Sequence, residues 1–161
     1  MEVALKKEIN REYLEATKCY EDEIANNKTP ILPNSYINLA FLYWSFAFEF
    51  SIPEDISEDH SILGGNRYQI ILDLGLNNYP KNVELHFWKK YFQHIIYGDE
   101  FSEKDCQKLL EEYGDGESIV PYFFLYLFDK EKYREKRNEL LDRCDENLTA
   151  KNIYIKSIIE R

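Results

Sequence analysis

Glycine and proline are scarce in this sequence. Six glycines and five prolines occur among 161 residues. β-Sandwiches and β-barrels need many tight turns, so this scarcity argues against both classes. Sustained alternation of polar and apolar residues is also missing, and apolar residues recur mostly three or four positions apart. This spacing predicts an all-α chain.

Cysteines are few, and long hydrophobic runs are missing. Cys19, Cys106 and Cys144 are odd in number and form no CxxC pair, which argues against a zinc knuckle or a redox motif. The first 30 residues carry charges throughout and lack the apolar core of a secretory signal. The richest apolar stretch, residues 37–50, is too short to span a bilayer. We therefore expect a soluble, cytoplasmic protein with reduced thiols, and no membrane partner.

The sequence also lacks the short motifs of catalysis. It contains no HExxH, no Gly-rich phosphate loop and no GxSxG, and no Ser or Cys stands beside a local base. His86 and His94 lie eight residues apart, without a cysteine or carboxylate at the usual metal-ligand spacing. We predict no enzymatic activity, no metal and no organic cofactor. An enzyme with a dispersed active site is the alternative.

Helical periodicity divides the chain into about eight helices within a single domain, residues 1–161. An acidic loop is expected at residues 53–65, and a closing helix at residues 148–161. Ser102 and Asp105 resemble a capping box, and Gly98 is a typical helix stop. The other helices are predicted near residues 9–24, 34–51, 66–77, 83–97, 102–113, 118–128 and 129–144. The predicted core includes Leu39, Ala40, Tyr43, Leu72, Trp88 and Phe92.

The second predicted helix carries the motif Y-x2-L-A-x2-Y at residues 36–43. This motif resembles the first helix of a tetratricopeptide repeat, W-x2-L-G-x2-Y, with Tyr in place of Trp and Ala in place of Gly. Pro30 lies six residues earlier, where the terminal proline of a preceding repeat would fall. Weaker matches extend the resemblance over residues 10–97, without a strict period. An irregular helical bundle is the alternative architecture.

The resemblance implies a tetratricopeptide-like array of helix hairpins, which would bind a protein or peptide on the concave face formed by its first helices. An adaptor or chaperone-like module with an aromatic groove on this face is one functional hypothesis. Residues placed on that face by the resemblance are Ile37, Phe41 and Trp44, with His86, Lys90 and His94 at corresponding positions of the fourth predicted helix.

Acidic residues are concentrated in two windows of a chain whose formal net charge is −10. Residues 49–60 carry five acids and no Lys or Arg, and residues 99–117 carry eight acids against two lysines. Such a surface repels phosphates, which argues against direct nucleic-acid binding and favours a basic protein partner. The candidate partner-binding acids are Glu54, Asp55, Glu58, Asp59, Glu111, Glu112, Asp115 and Glu117.

A small, acidic, helical and cofactor-free chain also resembles bacterial immunity proteins, which neutralise basic toxin domains. Our first hypothesis is a non-enzymatic module that captures a basic protein, with a toxin domain among the candidates. The peptide-binding adaptor is the alternative. A nucleic-acid mimic that presents carboxylates to a DNA-binding protein is a third possibility, and acids that merely keep loops solvated are the simplest explanation of the charge pattern.

Overall fold

The N-terminal part of the chain forms a helical hairpin. The computed structural model describes residues 2–26, 30–49, 56–114 and 116–160, and its first helices are α1 (Glu2–Ile9) and α2 (Tyr13–Asn26). Arg11 has a φ of 63°, a left-handed conformation that ends α1 and lets the chain reverse. The single helix predicted for residues 9–24 is therefore wrong at its start, because apolar spacing does not reveal a break made at one backbone angle.

Seven more helices follow in the described residues, which contain no strand. They are α3 (Pro33–Phe48), α4 (Glu58–Asn78), α5 (Val83–Tyr97), α6 (Glu103–Tyr113), α7 (Tyr122–Phe128), α8 (Arg134–Glu146) and α9 (Ala150–Ile159). The predicted all-α class is confirmed, with nine helices across the described ranges. Residues 58–65 of the expected acidic loop belong to α4, and residues 53–55 lie outside the described residues.

Polar side chains set several helix ends. The Ser102 hydroxyl accepts a hydrogen bond from the Asp105 amide, while the Asp105 carboxylate accepts one from the Ser102 amide, which confirms the capping box. Gly98 ends α5 with a φ of 73°. Ser57 accepts a hydrogen bond from the His60 amide and so caps α4. This cap starts α4 at residue 58. The apolar pattern predicts a later start, near residue 66.

Helices that are adjacent in sequence pack against each other throughout the array. Gly64 lies beside Tyr43 and Gly75 lies beside Tyr36, so α3 and α4 run antiparallel. Helix α9 departs from this order, since it contacts α3 and α7 as well as α8. The last helix therefore closes the array onto its own centre.

Helix α3 forms the centre of the core. Twelve of its sixteen residues are buried, because α2, α4, α5 and α9 surround it. The core positions predicted from the sequence are confirmed, since none exposes more than 4% of its surface: Leu39, Ala40, Tyr43, Leu72, Trp88 and Phe92.

Candidate functional site

The three apolar residues that the resemblance places on a binding face lie inside the core. Ile37 and Phe41 are 1% exposed, and Trp44 is 3% exposed. The Tyr154 ring of α9 packs against Phe41 and Trp44, with ring centroids 5.4 and 5.3 Å away. The expectation that these side chains lie on an open face is therefore wrong for the folded chain, because Tyr154 of α9 packs against Phe41 and Trp44. Their role in binding a partner stays a prediction.

Two polar contacts fix α9 in this position. The hydroxyl oxygens of Tyr91 and Tyr154 are 2.5 Å apart, and burial raises the pKa of Tyr91 well above its ordinary value. Lys151 donates a hydrogen bond to the Glu84 carboxylate at 2.6 Å, and both side chains are about nine-tenths buried. Trp88 donates to the same carboxylate at 3.1 Å. Because a buried charge is stable only when it is paired and hydrogen-bonded, these contacts hold α9 at one position on α5.

A groove between α5 and α6 brings together three of the predicted site residues, His86, Lys90 and Glu112. Its volume is about 390 Å³, and the buried side chains of Phe101 and Leu109 line it. Charged side chains of both signs complete the lining: Lys90 and Lys108 with Glu100, Asp105 and Glu112. The groove thus offers an apolar surface bordered by charges, which suits a protein side chain better than a free anion.

Aromatic stacking makes one wall of this groove rigid. The His86 ring lies parallel to Tyr113, with ring centroids 3.8 Å apart. Nε2 of His86 lies 2.6 Å from the Pro80 carbonyl oxygen, so Nε2 carries a proton and donates it. His94 does not line the groove, and its Nδ1 lies 2.7 Å from the Asp99 carbonyl oxygen instead. His86 and Lys90 therefore lie in the groove and His94 lies outside it, and the predicted role of all three in partner binding stays a prediction.

Four of the candidate partner-binding acids lie on helices α4 and α6. Glu58 and Asp59 open α4, while Glu111 and Glu112 lie in the last turn of α6. All four are exposed, and none forms an ion pair within 4 Å among the described residues.

Of the four remaining candidate partner-binding acids, three lie outside the described residues, and Glu117 contacts Arg143 through its backbone. Glu54, Asp55 and Asp115 lie outside the described residues. Glu117 is exposed, and its carbonyl oxygen accepts a hydrogen bond from the Arg143 guanidinium.

A buried carboxylate lies at the contact of α1 with α9 and was not predicted from the sequence. Glu8 of α1 is 0% exposed and accepts hydrogen bonds from the Tyr20 hydroxyl at 2.9 Å and the Ala150 amide at 3.3 Å. Asn38 donates to the Tyr20 oxygen at 3.1 Å, so the network joins α1, α2, α3 and α9. Burial raises the pKa of Glu8 to about 7. No sequence signal separates Glu8 from the surface glutamates, because glutamate is exposed almost everywhere else in proteins.

The described part of the chain contains no cluster of three His, Cys, Asp or Glu side chains that could hold a metal ion. All three cysteines are free, and burial raises the pKa of Cys106 to about 12 and that of Cys144 to about 11. Both therefore stay protonated thiols near neutral pH, a poor state for nucleophilic attack. None of the described helices is both long enough and apolar enough to cross a membrane.

No family model matches this chain, and searches of curated proteins and of solved structures return no significant match. The resemblances to tetratricopeptide repeats and to immunity proteins therefore stay predictions. Function has to be argued from the surface and its chemistry.

Proposed function

We propose that this protein is a non-enzymatic binding module that captures a basic protein on its acidic surface. The observation that carries the proposal is a set of exposed carboxylates along the α5–α6 segment that form no ion pair within the described ranges: Asp99, Glu100, Glu111 and Glu112. Unpaired surface carboxylates attract cationic side chains over several ångströms and speed their encounter.

Many of the protein's own cations are not available to balance these acids. Arg67 binds Glu21, Lys89 binds Asp73 at 2.8 Å, and Arg143 binds Glu139 at 2.7 Å. Local ion pairs therefore engage many basic side chains elsewhere. Lys90 and Lys108 lie beside the α5–α6 carboxylates in the groove, but acids still outnumber lysines by eight to two across residues 99–117. A basic toxin domain is the class of partner that we favour, in which case the protein acts as a cytoplasmic immunity protein.

The aromatic-groove adaptor has weaker support. Its three predicted anchors are buried, and Tyr154 of the same chain covers two of them. A peptide could reach Phe41 or Trp44 only if α9 left its place, which would expose the buried Glu84–Lys151 pair.

A capture experiment with matched variants tests the proposal. The immobilised protein is exposed to an extract of the cells that encode it, beside a triple variant, Glu100→Gln, Glu111→Gln and Glu112→Gln. A control variant removes three other exposed acids of α8, Glu135→Gln, Asp142→Asn and Glu146→Gln. We expect the wild type and the control to retain a Lys/Arg-rich protein that the α5–α6 variant loses, and salt to release it.

Mass spectrometry of the retained proteins identifies the partner. Equal capture by both variants, or a specific partner without excess positive charge, would contradict the proposal. Co-expression then distinguishes a toxin from other basic proteins, since only a toxin gives cells whose growth depends on this protein.

A further inference from the structure

Helix α4 exposes more large apolar side chains than any other described helix. The α4 stripe consists of Ile62, Leu63, Ile70 and Leu74, which are 56%, 47%, 50% and 38% exposed. Their helical spacing sets them along one side of α4, over a length of about 18 Å. The opposite side packs against neighbouring helices through Gly64, Tyr68, Ile71, Leu72 and Gly75.

Ile62 and Leu63 lie in the part of α4 that extends beyond the end of α5. Tyr97, the last residue of α5, hydrogen-bonds with Tyr68, so residues 58–67 of α4 precede that contact. On the other side, Gly64 packs directly against the Tyr43 backbone of α3. Two helices, α3 and α5, therefore pack closely against α4, where four pack against α3. Helix α2 reaches α4 through the Arg67–Glu21 ion pair, and the outer side of α4 has no closely packed helix in the described residues.

The unpaired charges at the start of the stripe are all negative. Arg67 is the only Lys or Arg on α4, and both its Nε and its terminal nitrogen bind the Glu21 carboxylate. Asp73 is paired with Lys89. Glu58 and Asp59 form no ion pair within 4 Å among the described residues, so the stripe begins beside two exposed carboxylates.

We infer that the α4 stripe is the docking surface for a basic amphipathic helix of the captured protein. The apolar side of that helix covers Ile62, Leu63, Ile70 and Leu74, and its Lys or Arg side chains meet Glu58 and Asp59. This inference rests on the proposed function, because it takes a basic partner as given. A second copy of this chain fits less well, since it would bring the same net charge of −10 and the same carboxylates.

A synthetic peptide tests the inference without the natural partner. The probe is a labelled amphipathic helix of leucines on one side and lysines on the other, followed by fluorescence anisotropy. Relative to the wild type, we expect Leu63→Ser with Ile70→Ser to weaken binding by about tenfold or more. The matched control, Leu127→Ser with Leu148→Ser, removes two leucines that are 47% and 41% exposed elsewhere, and it should bind within about twofold of the wild type.

Two results of the peptide experiment would overturn the inference. One is wild-type affinity in the stripe variant, and the other is an equal loss in the control variant. Circular dichroism of each variant shows whether the helices persist. Analytical ultracentrifugation supplies a third criterion. If the wild type is a dimer and the stripe variant is a monomer, the stripe binds a second copy of this chain and the inference is overturned.

The natural partner separates failure of this inference from failure of the proposed function. If the stripe variant still captures the basic protein and the α5–α6 variant does not, the docking surface is wrong and the proposed function stands. If the wild type captures no basic protein, the proposed function fails whatever the peptide does. If the stripe variant and the α5–α6 variant both lose capture while the α8 control retains it, the result supports the docking surface and the proposed function.

Discussion

Helices α3 and α4 pack antiparallel against each other, yet they use their apolar residues in opposite ways. Helix α3 buries twelve of its sixteen residues, whereas α4 leaves four large apolar side chains at least 38% exposed. In the sequence α3 is the more apolar of the two, with aromatic residues on both sides. The number of neighbouring helices, and not apolar content, therefore decides which helix exposes apolar side chains.

The largest effect is expected from the aromatic side chains of α3. If they did not stabilise the fold, the contrast between a buried α3 and an exposed α4 would fail. The Trp44 ring stacks on Phe92 at 4.7 Å and meets Tyr154 at 5.3 Å. We expect Trp44→Ala to lower the free energy of unfolding by about 3–5 kcal/mol in denaturant titrations. Trp44→Phe should cost less, because phenylalanine keeps an aromatic ring in the core and the lost indole Nε1 has no hydrogen-bond partner among the described residues. A loss below about 1 kcal/mol for Trp44→Ala would show that this side of α3 is open.

The interior around α3 also holds Glu8, linked to Asn38 through Tyr20. Burial raises the pKa of Glu8 from an ordinary 4.5 to about 7, so the folded chain keeps a proton that the unfolded chain releases between these values. The contribution of Glu8 to the free energy of unfolding therefore falls as the pH rises through this window, by about 3 kcal/mol in total.

The Glu8→Gln variant has no ionisable group at position 8. Comparing it with the wild type therefore isolates the pH-dependent contribution of Glu8 to the free energy of unfolding. The difference in unfolding free energy between the variant and the wild type should shift in favour of the variant as the pH rises from about 5 to about 8. The Tyr20 hydroxyl that faces Glu8 stays protonated across that range, because burial raises the pKa of Tyr20 further above its ordinary value. A difference that does not change with pH would mean that Glu8 is hydrated.

The contact between α3 and α4 can be tested with two adjacent glycines. A Cβ atom at Gly64 would lie 2.2 Å from the Tyr43 carbonyl oxygen, whereas one at Gly65 would lie 3.5 Å from the Ala47 Cβ. We expect Gly64→Ala to destabilise the fold by about 1–3 kcal/mol, because the helices must separate. Gly65→Ala should be neutral or stabilising by up to about 1 kcal/mol, because alanine favours the helix. Equal effects at both positions would contradict the close approach.

The smallest effect is expected on the open side of α4. Ile70 is 50% exposed, so Ile70→Ala should change the free energy of unfolding by less than about 0.5 kcal/mol. Thermal unfolding of Ile70→Ala and Trp44→Ala in parallel compares the two helices directly. A loss of about 2 kcal/mol or more would show that Ile70 is packed, and the stripe would then lose its central residue.

Local signals predicted much of this fold. Periodicity gave the all-α class and the buried positions of Leu72 and Trp88, because a helix repeats its inward side every three to four residues. The Ser102–Asp105 box and Gly98 marked helix ends, since capping depends on residues a few positions apart.

Long-range packing was not predictable in the same way. The contact of Tyr154 with Phe41 joins distant parts of the chain, and no local pattern indicates that α9 covers α3. The resemblance to an open repeat array therefore placed core side chains on a binding face. The groove beside His86 and Lys90 was not predicted either, because it depends on how α5 and α6 pack against each other.

The association rate of the captured basic protein tests capture by charge most directly. Stopped-flow mixing would measure it as ionic strength rises from about 0.02 M to about 0.5 M, over which the screening length falls well below 10 Å. We predict that the wild-type association rate falls by about an order of magnitude or more, while the dissociation rate changes much less. The triple α5–α6 variant should associate slowly even at low ionic strength, and its association rate should depend only weakly on salt. A wild-type association rate that is independent of salt would contradict capture through the exposed carboxylates.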